Sequence, residues 1–180
     1  TKLFQCRIYG YPIIIYSTPP KVIQSLYCAG KGKIILGQGV NLGVYPSPGL
    51  KYGELYLEAR NSDAEIKIGN RVFINNNAVI IADKSKIEIG DDTLIGPNFT
   101  CFDSDFHSLH PEQRMGGNYN CKEVVIGRNV FIGANVTILK GSIIGHNSVI
   151  GAGTVISGVI PDNVIVSSTK QYRVSKLRSD

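Results

Sequence analysis

Two of the three histidines in this 180-residue chain stand three residues apart, His107 and His110, in a stretch crowded with groups that hold or move protons. The stretch runs from Cys101 to Arg114 and also contains Asp103, Asp105 and Glu112. A neutral imidazole titrates near neutrality, so within hydrogen-bond reach of a hydroxyl it can take the proton as the oxygen attacks an electrophile. Asp105, Glu112 or a backbone carbonyl is then needed to hold the other ring nitrogen. A cysteine nucleophile would instead need a base beside Cys101 or Cys121, and a small buried hydrophobe is the commoner fate of such a cysteine.

What positions this stretch is a repeat. From Ile126 the chain reads Ile126-Gly127-Arg128-Asn129-Val130-Phe131, Ile132-Gly133-Ala134-Asn135-Val136-Thr137, Ile138-Leu139-Lys140-Gly141-Ser142-Ile143, Ile144-Gly145-His146-Asn147-Ser148-Val149 and Ile150-Gly151-Ala152-Gly153-Thr154-Val155, then Ile156. Isoleucine recurs every six residues, and Gly usually follows it. Ile68-Gly69, Ile74, Ile80, Ile89-Gly90 and Ile95-Gly96 carry the same signature with one slip of register. Six fits neither a 3.6-residue helix nor simple alternation, but it fits a short strand plus a corner. The Ile and the residue four places on are expected to face inward, with the small residue after the Ile at the bend. Three such units close a triangular coil, so 126–143 and 144–161 are read as successive coils. A β-sandwich would place its turns about 8–12 residues apart.

With these residues in place, the chain resembles the hexapeptide-repeat acyltransferases, a group that includes galactoside, maltose and other sugar O-acetyltransferases. The resemblance covers about residues 66–166. It implies an all-β fold: a left-handed parallel β-helix with an extruded loop and a short C-terminal tail. Handedness comes from the resemblance alone, because parallel crossovers are normally right-handed. The expected organisation is irregular N-terminal strands packing on the helix (1–65), the β-helix with its loop at 101–123 (66–166) and a tail (167–180).

The break in the repeat matches the family's catalytic segment, and long insertions in compact repeat proteins are more often functional than decorative. By that match His107 is the general base, with Ser108 standing where the family usually has Pro. Asp105, His110 and Arg114 are expected at the acceptor, as is Asn77, a match shared with its neighbours Asn75 and Asn76. The donor implied is acetyl-CoA, running beside the later coils near Ala134 and Ala152, with Lys140, Lys170 and Arg173 toward its phosphates. The family's Gly-x-Pro segment after the last coil is replaced here by Ser167-Ser168-Thr169. A homotrimer with sites between subunits is implied. The function expected is O-acetylation of a sugar hydroxyl, with a surface-polysaccharide sugar as acceptor. N-acetylation of an amino sugar or nucleotide sugar, and a non-catalytic binding scaffold, are the alternatives. Some carbonic anhydrases share the fold and need three metal-binding histidines. Eighteen residues before His146 stands Arg128, so no metal is expected.

Composition agrees with this reading. The 43% hydrophobic content suffices for a core, and 20 glycines without collagen spacing indicate many tight turns. A net charge of +5 suits an anionic ligand without pointing to nucleic acid. The apolar run Tyr11–Tyr16 is far shorter than the ~20 residues of a spanning helix, and no stretch reads as a secretory signal. The four cysteines lack CxxC spacing, which favours a reduced, cytoplasmic setting. Seven of the nine tyrosines fall in the first 65 residues, where packing is their expected role.

Overall fold

The computed structural model describes residues 6–116 and 118–168. Three seven-stranded parallel sheets form the faces of a prism, and the chain visits them in strict rotation. The first sheet begins with Cys6–Gly10 and ends with Val155–Ile156; the second runs from Ile13–Tyr16 to Val159–Ile160; the third from Lys21–Val22 to Ile165–Val166. The architecture is the left-handed parallel β-helix that the family resemblance implied.

The expected boundary at residue 66 has no counterpart in the ladders. Cys6–Gly10 pairs with Leu26–Gly30, which pairs with Leu55–Ala59, so residues 6–59 already form coils of the same helix. The hexapeptide spacing is hidden there because the strands are longer. A loop over residues 43–54 also separates the third-sheet strand Asn41–Leu42 from its first-sheet successor. At the other end, Ile126 pairs with Ile144 as expected, but Ile144 pairs with Ile160 rather than with a residue eighteen further on. The last coil is therefore two residues short.

The interior is a stack of the repeated isoleucines: Ile66, Ile74, Ile80, Ile87, Ile132, Ile138 and Ile150 are fully buried. The residue four places after Ile68, Ile74, Ile89, Ile95, Ile126, Ile132, Ile138, Ile144 and Ile150 also faces in, and where it is polar its hydroxyl is bonded. Thr93 Oγ1 donates to the Gly127 carbonyl (3.0 Å) and accepts from Val130 N–H (3.2 Å). Ser148 Oγ donates to Pro161 O (2.9 Å). Such bonds remove the penalty of roughly 1–3 kcal/mol for an unmet buried polar group.

The glycine after the Ile has a different role from the one its spacing suggested. A Cβ on Gly90 would lie 2.6 Å from Arg128 N, and one on Gly133 2.6 Å from Ala152 N, so these glycines let successive coils approach. The bend itself falls two residues later, in left-handed backbone: Asp92 (φ 61°), Asn129 (φ 54°), Asn135 (φ 56°) and Asn147 (φ 57°). Asn tolerates this region better than most side chains. Its amide is then used coil to coil, as Asn129 Nδ2 donates to Asn147 Oδ1 and Asn147 Nδ2 to Asn163 Oδ1, both at 3.0 Å. Among the described residues no helix is long and apolar enough to cross a membrane.

Candidate active site

The long loop leaves the first sheet after Thr100–Phe102 and rejoins the second at Val124–Ile126. It therefore projects from one corner of the prism. Its two legs are tied at the base: Ser104 bridges Cys121 in antiparallel fashion, and Asp105 N donates to Asn120 O (3.2 Å) and Lys122 N to Asp103 O (2.8 Å). Below the loop the Asp103 carboxylate is fully buried and accepts backbone N–H groups of Asp83 (2.8 Å), Lys84 (3.2 Å) and Ser85 (2.8 Å). Burial pushes this carboxyl above the usual range, although the three donors pull the other way.

From that base the chain makes a tight turn. Phe106 sits in left-handed backbone (φ 60°), its N–H donating to Ser104 Oγ (2.8 Å), and His107 N donates to Asp105 O (2.7 Å). His107 is exposed, and its Nδ1 lies 2.9 Å from the Arg114 carbonyl. A carbonyl can only accept, so Nδ1 carries a proton, which in the neutral ring leaves the lone pair on Nε2. Nε2 meets no protein partner among the described residues. Of the three holders expected for this ring, the structure uses the backbone carbonyl.

Asp105 has another partner: its Oδ1 lies 2.9 Å from Lys140 Nζ, and Oδ2 is buried without a hydrogen bond among the described residues. Lys140, expected at the donor phosphates, is thus committed to the loop. His110 immediately precedes the 3₁₀ turn Pro111–Gln113 and joins Asp105, Ser108, Asn118 and Tyr119 around a hollow of about 420 Å³. Arg114 and Glu112 are exposed.

Asn77 is brought to a different corner, where its amide oxygen, amide nitrogen and backbone N–H all meet protein partners. Its Oδ1 accepts from Gln24 Nε2 (2.8 Å), its N–H donates to Gln24 Oε1 (2.7 Å) and its Nδ2 to Asn98 Oδ1 (3.1 Å). Gly49 and Gly53 of the 43–54 loop close over it. Asn76 holds the same loop through the carbonyls of Val44 and Pro48. Of the three asparagines, Asn75 alone leaves its amide nitrogen without a partner among the described residues, its oxygen accepting from Asn76 N (2.7 Å).

Ala134 and Ala152 sit one above the other where the third sheet turns into the first. Elsewhere the equivalent amides are capped by side chains: Asn70 N donates to Asp91 Oδ1 (2.7 Å) and His146 N to Asp162 Oδ1 (2.7 Å). Ala134 and Ala152 have no such neighbour, so their N–H groups are unpaired among the described residues. Lys170 and Arg173 lie outside the described residues. Cys101, in the strand before the loop, and Cys121 are not poised as nucleophiles, since burial pushes the Cys101 thiol far up and that of Cys121 up as well. His146 is an exposed corner residue whose Nδ1 accepts from Arg128 N (2.9 Å).

Residues 123–158 match the model of the bacterial transferase hexapeptide family (six repeats). The chain carries the hexapeptide repeat of the bacterial transferases. It is 37% identical over 129 residues to the galactoside O-acetyltransferase of Escherichia coli, covering 72% of this chain and 58% of that protein. It is 34% identical over 79 residues to the polysialic acid O-acetyltransferase of Neisseria meningitidis, covering 44% of this chain and 37% of that one. A solved hexapeptide-repeat acetyltransferase from Vibrio cholerae, in complex with acetyl coenzyme A, superposes with a TM-score of 0.54. It shares 37% identity over 63% of this chain and 61% of its own. The matched stretch thus spans about two-fifths to three-fifths of these curated relatives. The resemblance to hexapeptide-repeat acyltransferases read from the sequence is borne out.

Proposed function

We propose that this chain transfers the acetyl group of acetyl-CoA to a sugar hydroxyl, with His107 Nε2 as the general base. The observation that carries this is the bond from His107 Nδ1–H to the Arg114 carbonyl, which fixes the tautomer that general-base chemistry requires. Nε2 takes the proton of the acceptor hydroxyl as its oxygen bonds to the thioester carbon. The C–S bond then breaks, and the proton passes from His107 to the departing CoA sulfur. An unpaired corner N–H suits the oxyanion that forms between these steps.

The unpaired amides of Ala134 and Ala152 are suited to a pantetheine arm, whose own amides need partners. Acyl-CoA phosphates would look to Lys170 and Arg173, because Lys140 holds Asp105. On the acceptor side we assign His110 and Arg114, and Asn75 in the place first given to Asn77. Asp105 supplies the orphan Oδ2, which can accept a hydrogen bond at the edge of the hollow. The named activities of the E. coli and N. meningitidis relatives support a saccharide acceptor, and the second supports a surface polysaccharide.

Catalytic loop and unpaired amides occupy different corners of one prism, which favours completion of each site by a second subunit. Down the third sheet the outward residues Phe73, Leu94, Phe131, Val149 and Ile165 stand in register. Four of them are at least 42% exposed, a continuous apolar stripe of the kind that subunits bury. A homotrimer uses it three times. Cys101 and Cys121 form no disulfide among the described residues, which suits a reducing cytoplasm.

The test is product analysis with acetyl-CoA and paired acceptors that differ only in a hydroxyl or an amine. Ester product with hydroxyl acceptors is expected. Amide product alone would replace this reading with N-acetylation, and neither product with any acceptor would favour a binding scaffold.

A further inference from the structure

Phe106, immediately before His107, adopts a left-handed backbone conformation that bulky side chains rarely take. The structure shows what holds it there. The Phe106 ring stands edge-on to Phe102 (centroids 5.3 Å apart, planes at 80°), and the Arg60 guanidinium lies 4.9 Å over its centroid. Arg60 is itself fixed by a two-pronged bond to Glu58, Nε to Oε1 at 2.8 Å and Nη2 to Oε2 at 3.0 Å. Glu58 also accepts from the Tyr56 hydroxyl (3.1 Å), and the buried Asp83 carboxylate lies 3.8 Å from Arg60 Nη1. Tyr56 and Glu58 alternate outward on the strand Leu55–Ala59, and Arg60 follows at its end. The cation is therefore delivered by rigid sheet two coils before the loop.

The opposite side of the same turn is gripped by the Lys140–Asp105 pair, from the coil that follows. Asp105 is also the residue whose carbonyl accepts the His107 N–H. The turn Ser104–His107 is thus clamped between coils above and below, by a cation on an aromatic face and by an ion pair. Removing the loop's freedom in this way matters because displacement of a catalytic group by about 1 Å can cost roughly a hundredfold in rate.

We infer that Arg60 is a positioning residue for His107, acting through the Phe106 ring and not through contact with either substrate. The inference rests on the proposed role of His107. Cation–aromatic contacts of this kind favour Arg over Lys when the guanidinium is also forked to a carboxylate. The Arg60 side chain is 39% exposed, so its replacement opens no cavity in the apolar core.

The experiment compares R60Q, R60K and the wild-type full chain in two readouts: steady-state acetyl transfer, and hydrogen exchange at the amides of Phe106 and His107. In R60Q, kcat is expected to fall by roughly tenfold to a hundredfold with KM for acetyl-CoA unchanged, and exchange at both amides to accelerate. R60K, which keeps the cation and loses the fork, is expected between the two. Wild-type kcat and wild-type exchange in R60Q would overturn the inference, as would a fall confined to KM. If the wild type transfers no acetyl while R60Q still speeds exchange, the clamp stands and the transferase reading fails.

Discussion

The Asp103 carboxylate offers a quantitative handle on how the loop is anchored. It serves three backbone donors from one corner, Asp83, Lys84 and Ser85, with no solvent access. In Asp103→Asn an NH2 group must face at least one of those donors, whichever way the amide is turned. A buried unmet donor costs about 1–3 kcal/mol, and the remaining bonds weaken by roughly 1 kcal/mol each when the acceptor loses its charge. Relief from burying a charge offsets part of this, leaving a net loss of about 2–3 kcal/mol. At about 2–4 °C per kcal/mol for a chain of this size, Tm should drop by roughly 5–10 °C. The assay is thermal unfolding by circular dichroism at fixed protein concentration, with amide exchange at Lys84 and Ser85. The pH dependence has a definite sign. Because burial raises the folded-state value of Asp103, its protonated form is favoured by folding. That contribution is full below the ordinary aspartate range and is lost as pH rises through the folded value. The wild type's advantage over the variant should therefore widen in acid. A variant within about 0.5 kcal/mol of wild type, with both amides equally protected, would refute the reasoning.

Asn147→Ala breaks two rungs of a corner ladder and puts a side chain that tolerates left-handed backbone less well than Asn at φ 57°, for an expected loss of about 2–3 kcal/mol in urea unfolding. Asn147→Gly should lose distinctly less, since only the rungs go; equal losses would show that the backbone conformation contributes nothing. Burial and the neighbouring Glu58 push the Tyr56 phenol up from 10.0 to about 12. Its neutral form thus favours folding below about pH 10, an advantage lost as pH rises through about 12. An ultraviolet titration should show Tyr56→Phe lacking the last-ionising component. Phe131→Glu places a charge in the middle of the apolar stripe, and sedimentation should show it dissociated at concentrations where the wild type is assembled.

The isoleucine period made the fold legible because each Ile must enter a narrow core at the same point of every coil. The same logic hid the first two coils and the strand Leu55–Ala59, where longer strands and the 43–54 loop disrupt the spacing without disturbing the ladders. Glycine was assigned to the bend for its freedom, whereas Gly90 and Gly133 are required by the proximity of the next coil, a distance no single-chain pattern reveals. His107 could be found because the repeat stops around it, and its carbonyl partner was among the expected holders. Arg60 could not be, since it lies 47 positions upstream and meets Phe106 only when coils stack. The outward alternation of Tyr56, Glu58 and Arg60 was the available signal, and it reads as an ordinary exposed strand face. The partners of Asn77 were hidden for a similar reason: what sets it apart from Asn75 is the buried Gln24, 53 residues away.

The most direct measurement is CoA thiol release from acetyl-CoA in the presence of saccharide acceptors, wild type against His107→Ala. General-base catalysis is worth roughly 10²–10⁴-fold, so a loss of that size with acetyl-CoA binding retained is the predicted result. Sugar-dependent release by wild type that persists undiminished in the variant would contradict the account, placing the base elsewhere and His110 first in line.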